Sequence, residues 1–404
     1  MFWPRQQGLP DESKRKERGL NMQFVNADNK IPIKSWCLDV ESNAMEQASN
    51  LANLPFAYHH IALMPDCHSG YGMPIGGVMA TTGVVVPNAV GVDIGCGMCA
   101  VRTSLTDIDT ETLKLVMSDI RTAVPLGFNH HKEPQEWNGF DDAPDIAVIQ
   151  TELKSSSYQI GTLGGGNHFI EIQGGSDGFV WLMIHSGSRN FGLKIAKEYH
   201  GKANDMCERW YSDIPDQDLS FLPIETFEAQ EYLDAMNYAL SFAKQSRHMM
   251  MDVCVDAMIT HTGCAAQEWI DIHHNYAAWE HHFGKNVLIH RKGATLAREG
   301  GLGIIPGSQG TDSYIVRGLG NKESFESCSH GAGRRMGRKE AERTLDLQAT
   351  IDELDRQGIV HSIRQQRDLD EAPGAYKDII EVMASQIDLV EPVVTLRPLA
   401  VIKG

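Results

Sequence analysis

The feature that most restricts this chain is a long run without charge. From Gly76 to Val92 no residue is charged, and the run ends on Asp93 within Val90-Gly91-Val92-Asp93-Ile94-Gly95-Cys96-Gly97-Met98-Cys99-Ala100. Such a run belongs inside a fold, where a carboxylate at its end is costly unless something pairs with it. A metal ion would be a suitable partner, with Cys96 as a second ligand. Gly91, Gly95 and Gly97 let the backbone bend so that both side chains face one point. A buried strand end with a capped Asp and an inert Cys fits the same residues, and this stretch alone leaves both readings open. It is no membrane span: it is too short, and Thr, Asn, Gly and Pro interrupt it.

With 404 residues the chain can bury a large core, as one big domain or two. Its net charge of −17 means that the surface as a whole repels nucleic acid. A polyanion must therefore meet a local basic patch or a bound metal. Eight cysteines without a secretory signal point to free thiols in a reducing cytoplasm rather than a disulfide framework. Cys96-Gly97-Met98-Cys99 also fits a redox C-x-x-C, a use that leaves Asp93 without a role. Residues 1–21, with Lys14-Arg15-Lys16, read as a disordered tail or an unused upstream start.

Helices are expected around Ala44–Leu54, after a cap at Asp109 or Thr110 (with Leu113, Val116, Met117 and Ile120 on the inner face), over 192–211, over 229–260 with a stop at Gly263, and over 376–386. The stretch 126–145 reads as an exposed loop. Ile61–Pro65 reads as a strand feeding a glycine-rich loop that carries Asp66 and His68, whose roles range from catalytic or ligating to an Asx turn with a surface His. Further strands end on histidines or turns: Gly161–Glu171 with Asn167 and His168, Phe179–His185 followed by Ser186-Gly187-Ser188-Arg189, and Val287–Gly293; Ile270–Tyr276, with His273 and His274, and Glu280-His281-His282 form the densest histidine cluster. Alternation puts His168 on the face opposite Asn167 and Phe169. Gly303–Gly310 suits a phosphate or sugar. The Ser327–Arg335 loop places His330 before two arginines and a helix, whose N-terminus favours a phosphate. Val393–Ile402 is a last strand, and Lys403 has no role by spacing alone.

Asp, Cys and His together suit Mn²⁺, Fe²⁺, Zn²⁺ or Co²⁺ rather than the oxygen-seeking Mg²⁺ and Ca²⁺. Two ions bridged by one thiolate would use all of these groups and clamp the entering and leaving oxygens at phosphorus. A nucleophilic His330 would give a phosphoramidate.

Asp66–Gly77, Gly91–Met98, Gly164–Glu171, His185–Arg189, His273-His274-Asn275 and Ser329–Arg334 resemble, in order, the motifs of the RtcB family of RNA-splicing ligases. The likeness covers about Met22 to Gly404. It implies a mixed α/β fold, with strands around a central two-metal pocket and peripheral helices, and a single catalytic domain over 22–404. It also implies GTP- and Mn²⁺-dependent joining of an RNA 3′-phosphate or 2′,3′-cyclic phosphate to a 5′-hydroxyl, in RNA repair or tRNA splicing, and leaves room for an archease-like activator. Carried over by motif, Cys96 would bridge two Mn²⁺ ions, with His185 and His274 completing one site and Asp93 and His168 the other. His330 would take GMP from GTP, with support from Asp66. Asn167 and Glu171 would contact nucleotide or phosphate. Ser308, Gly331, Ala332, Gly333 and Lys403 would line the guanine nucleotide pocket, and Arg189, with Asn167, would meet RNA. Cys99, Asn190-Phe191 and Gln309 depart from the family pattern. They bear on Cys96 oxidation and on substrate preference rather than on reaction class. The competing readings are a paralogue that caps or repairs 3′-phosphate ends and a two-metal phosphohydrolase without a covalent histidine.

Overall fold

A computed structural model describes residues 22–404; the reading of residues 1–21 lies outside them. Two sheets carry the fold. The six-stranded sheet runs, in spatial order, Phe24–Asn26, Ile33–Ser35, Ala57–Tyr71, Met73–Thr81, Lys285–Lys292 and Asn275–His282. The seven-stranded sheet runs Ala266–His273, Gly97–Thr103, Val180–Ser186, Phe169–Gly175, Val390–Lys403, Ser313–Gly318 and Leu302–Ile305. The chain passes from the second sheet to the first at His274, the residue between Ala266–His273 and Asn275–His282. The His274 amide donates to the Cys96 carbonyl at 2.9 Å, and the Gly95 amide donates to the Asn275 carbonyl at 2.9 Å. These bonds lock the Asp93–Cys96 turn into that crossing.

The helix Phe227–Thr262 backs the seven-stranded sheet. The Thr226 hydroxyl caps its start and Gly263, at φ 68°, ends it in the left-handed conformation that glycine adopts without a Cβ clash. Met250, Met251, Cys254 and Met258 pack against Val101, Leu182 and Ile184 of the sheet, so the methionine run is core filler. Each such side chain contributes about 1.5–3 kcal/mol by leaving water. Thr110–Ala123 is capped by the Asp109 carboxylate and buries the four apolar residues its spacing selects. Arg189–Arg209 and Ser42–Ala52 fall close to the expected positions.

Three expectations change. The glycine-rich stretch after Ile61 is no loop: it forms the antiparallel pair Ala57–Tyr71 and Met73–Thr81, with register shifts that absorb its extra residues. The stretch 126–145 is irregular, yet Trp137 and Phe140 pack on Phe242 rather than facing water. The helix after His330 starts only at Arg338, and the His330 and Gly331 amides donate to Asp66 instead.

Candidate active site

Asp93 and Cys96 sit on the turn before the strand Gly97–Thr103, which pairs with Val180–Ser186, the strand that ends beyond His185. His168 precedes Phe169–Gly175 on the other side of that strand. This topology brings two ligand sets together. The donor atoms of Cys96, His185 and His274 lie within 4.8 Å of one another, as do those of Asp93, Cys96 and His168. Cys96 belongs to both. Its Sγ is 3.3 Å from His185 Nε2 and 3.4 Å from His168 Nε2. His185 Nε2 is also 3.3 Å from His274 Nε2, and His168 Nε2 is 3.1 Å from an Asp93 oxygen.

These contacts test whether the residues fit a metal. His185 Nδ1 lies 3.1 Å from the Asn167 carbonyl, which only an N–H can satisfy. Its Nε2 is therefore a bare lone pair aimed at the sulfur and at a second imidazole. Burial, with His168, His330 and Lys403 nearby, holds the His185 imidazole well below its usual range. Burial and the neighbouring His330 and His185 do the same for His274. Neutral imidazoles are the form a metal takes. Burial raises the Asp93 carboxyl, but the His168 hydrogen bond and charge outweigh it, so the group ends below its ordinary value. Burial, then Asp93, pushes the Cys96 thiol far up, the opposite of what a bound cation imposes. Sulfur, nitrogen and carboxylate donors converge here with no lysine or arginine hydrogen-bonded to the donor atoms, and the set fits a pair of borderline divalent ions.

The support around these ligands is close. The Ser188 amide donates to Asp93 Oδ1 at 3.2 Å, and a Cβ on Gly187 would fall 2.2 Å from that oxygen, so only glycine lets the carboxylate lie there. Asn275 Nδ2 donates to the Asp93 carbonyl at 3.0 Å. Arg247, wholly buried in the long helix, donates from Nη1 to the Gly95 and Ser186 carbonyls at 3.0 Å each and pairs with Asp271 at 2.7 Å. One guanidinium thus ties the Cys96 turn to the end of the His185 strand. Sequence reasoning missed Arg247, although helical spacing with Ala243 and Cys254 sets it on the buried face.

His330 stands at the edge of this centre, its ring centroid 4.8 Å from that of His274. Its Nδ1 lies 2.6 Å from Asp66 Oδ2, the same oxygen that accepts the amides of His330 and Gly331 at 3.0 and 3.2 Å. Asp66 therefore fixes the loop through its amides, and its carboxylate lies beside Nδ1 of the imidazole. Gly333, at φ 75°, packs its α-carbon against the Asp66 backbone, where a Cβ would be 2.3 Å from the carbonyl oxygen. Lys377 holds both partners from behind: its Nζ donates to the Cys67 carbonyl at 2.6 Å and its amide donates to the Gly333 carbonyl at 2.9 Å.

His330 opens into a cavity of about 170 Å³. Of the residues expected around a nucleotide, Asn167, Glu171, Ser308 and Lys403 line it, as do Gly331, Ala332 and Gly333. Asn167, Phe169 and Glu171 face the cavity while His168 turns to Asp93, as alternation requires. Lys403 arrives because the last strand pairs Lys403 with Phe169. Burial pushes the Glu171 carboxyl up to about 8, against the pull of the Gln173 amide and the Lys403 charge.

Arg189 is placed differently. It does not line the cavity; its guanidinium donates to the Gly127 carbonyl at 2.6 Å and to Thr162 Oγ1 at 3.1 Å. Cys99 faces the other side of its strand from Met98 and Ala100 and packs with Met250 and Cys254. All eight cysteines are unpaired. Glu371 escaped sequence reasoning, for it lies in an acidic stretch that reads as surface. It is buried and takes Arg338 at 2.7 Å, Arg334 at 3.0 Å and the Tyr376 hydroxyl.

A thiol shared between two sets of candidate ligands, beside a histidine loop that opens into a cavity, is an arrangement able to take two metal ions and to handle phosphate. Comparison with known proteins makes the class specific. The family described as tRNA-splicing ligase RtcB matches residues 47–146 and 133–404. The chain is 40% identical to the RNA-splicing ligase RtcB of Escherichia coli K12, over 95% of this chain and all of the relative. It is 32% identical to the tRNA-splicing ligase RtcB of Pyrobaculum aerophilum, over 94% of this chain and 96% of that one. The RNA-splicing ligase RtcB of Mycobacterium bovis is 32% identical, over 89% of this chain and all of the relative. The chain belongs to the RtcB family. Among the described residues no helix is long and apolar enough to cross a membrane.

Proposed function

We propose that this protein is an RNA ligase that joins a 3′-phosphate or 2′,3′-cyclic phosphate end to a 5′-hydroxyl, using GTP and two Mn²⁺ ions, in RNA repair or tRNA splicing. The observation that carries the reading is the placement of His330 against His274, a ligand of the shared-thiol centre. Bound ions would supply Lewis-acid stabilisation of charge on the phosphate oxygens.

The chain's own groups account for the rest. Asp66 lies against His330 Nδ1, which leaves Nε2 as the nucleophile. Attack on the α-phosphorus of GTP forms a P–N bond and releases pyrophosphate. The GMP then passes to an oxygen of the RNA 3′-phosphate, freeing the imidazole. The 5′-hydroxyl attacks that activated phosphorus, and GMP leaves; a cyclic phosphate is first opened by water. Ser308 and Lys403 would hold the guanine nucleotide, and Asn167 and Glu171 its phosphates or sugar.

Incubation with α-labelled GTP and Mn²⁺ tests this. The reading expects an acid-labile covalent label that is absent from His330→Ala. Release of phosphate from RNA ends by a chain that never takes the label would establish a phosphohydrolase instead.

A further inference from the structure

The His330 cavity, at about 170 Å³, has no room for an RNA strand. It opens past His68, Ile75, Arg334 and Arg338, which it shares with a wider cleft of about 880 Å³. The cleft wall comes from one segment. Arg334, Arg335, Arg338, Lys339 and Arg343 all line it, against the carboxylates of Glu41 and Glu340. In a chain of net charge −17 this is a sharp local reversal of sign.

The five cations fall into two groups. Arg334, largely enclosed, and Arg338, half-exposed, are both paired with Glu371. Arg335, Lys339 and Arg343 are exposed and form no ion pair among the described residues; Arg335 is only steadied by the Gly374 carbonyl at 2.8 Å. Three unneutralised cations beside a site that handles phosphate lower the energy of a polyanion there and of little else.

We propose that Arg335, Lys339 and Arg343 form the track for the phosphate backbone of a single-stranded RNA end, guiding it past Arg334 and Arg338 to His330. The assignment rests on the ligase reading above. It also answers how an acidic protein engages RNA: the affinity comes from this cleft and not from the surface at large. The contacts are to phosphate, so they tolerate any sequence.

The test is the Arg335→Gln/Lys339→Gln/Arg343→Gln protein, with Arg343→Gln as a milder companion, assayed with Mn²⁺ and a single-stranded RNA bearing a 3′-phosphate. Binding is measured over a range of salt, and labelling by α-labelled GTP is measured without RNA. Loss of three phosphate contacts lowers the slope of log affinity against log salt by about 2 for a single strand. The triple variant is therefore expected to bind RNA at least tenfold more weakly at low salt, with a flatter salt dependence and undiminished labelling. Glu41→Gln is expected to tighten RNA binding. An unchanged slope in the triple variant overturns the proposal. So does a loss of labelling in it, which would make these residues nucleotide contacts. Absence of label from the unaltered protein would instead overturn the ligase reading, and the salt slope would still report on the cleft.

Discussion

Two clusters in this protein gather potential metal ligands, five in one and three in the other, and they are built on opposite plans. In the first, Cys96 joins His185 and His274 on one side and Asp93 and His168 on the other, with imidazole lone pairs pointed at one another. In the second, Glu280, His282 and Glu326 converge at the far ends of the strands Asn275–His282 and Lys285–Lys292. There Arg291 grips both oxygens of Glu280, at 2.5 and 3.1 Å, and His282 Nε2 sits 2.9 Å from one of them. Arg291 also donates to the Phe325 carbonyl and to Ser327 Oγ, each at 2.9 Å, which steadies the short strand leading to His330. The second cluster contains its own cation and is complete. In the first, no lysine or arginine hydrogen-bonds to the donor atoms, and on the proposed reading two ions would supply the neutralising charge. Proximity of ligating side chains does not distinguish the two; the presence of a guanidinium does.

The widest gap between the clusters is expected from Cys96→Ala. It removes the only group common to both ligand sets, so ligation should fall to background, well beyond the 10–100-fold that changes to outer partners of a metal site cost. Equilibrium dialysis should find fewer than two Mn²⁺ per chain. The stabilisation that Mn²⁺ gives against heat should shrink with it. Full Mn²⁺ stoichiometry in this variant would break the comparison.

Arg291→Met should act on stability instead. It leaves Glu280 buried without its partner, at a cost of about 3–5 kcal/mol in urea unfolding. Pairing it with Glu280→Gln should recover much of that loss, while added Mn²⁺ should not substitute for the guanidinium.

Acid sharpens the same point. Burial raises the Glu280 carboxyl, but His282 and Arg291 more than offset it and hold it at about 2, against an ordinary 4.5. Because the folded value is the lower one, its contribution is complete above pH 4.5 and is lost as pH falls toward 2. Stability measured across that interval should drop less steeply in Glu280→Gln.

The smallest effect is expected from Cys99→Ala. Cys99 packs with Met250 and Cys254 and touches neither ligand set. About 1 kcal/mol of stability should go, with ligation unchanged. A large activity loss would mean that the two faces of the strand Gly97–Thr103 communicate.

These clusters also mark how far the sequence could be read. Asp93 and Cys96 were legible because they are close in the chain and stand at the end of a run that must be buried. Thr110–Ala123 was legible through its cap and its spacing. Arg247, Glu371 and Lys377 were not, because a charge held against the interior is explained by its partners, and those partners lie far along the chain or are backbone carbonyls. The glycines between Asp66 and Gly77 suggested a loop. They are instead what lets two irregular strands pass close to Asp66 and His330: a Cβ on Gly76 would sit 2.9 Å from the Cys67 backbone.

The crossing at His274 has a consequence for the order of events in the cell. Apart from Asp93 and Cys96, no two ligands are neighbours in the chain, and the sheets that deliver them must both be in register before five donors can meet. An emerging polypeptide therefore offers no ready chelate to whatever ion is most abundant. On the proposed reading metallation would follow folding, and the finished architecture, rather than the raw affinity of a short peptide, would decide which element is retained.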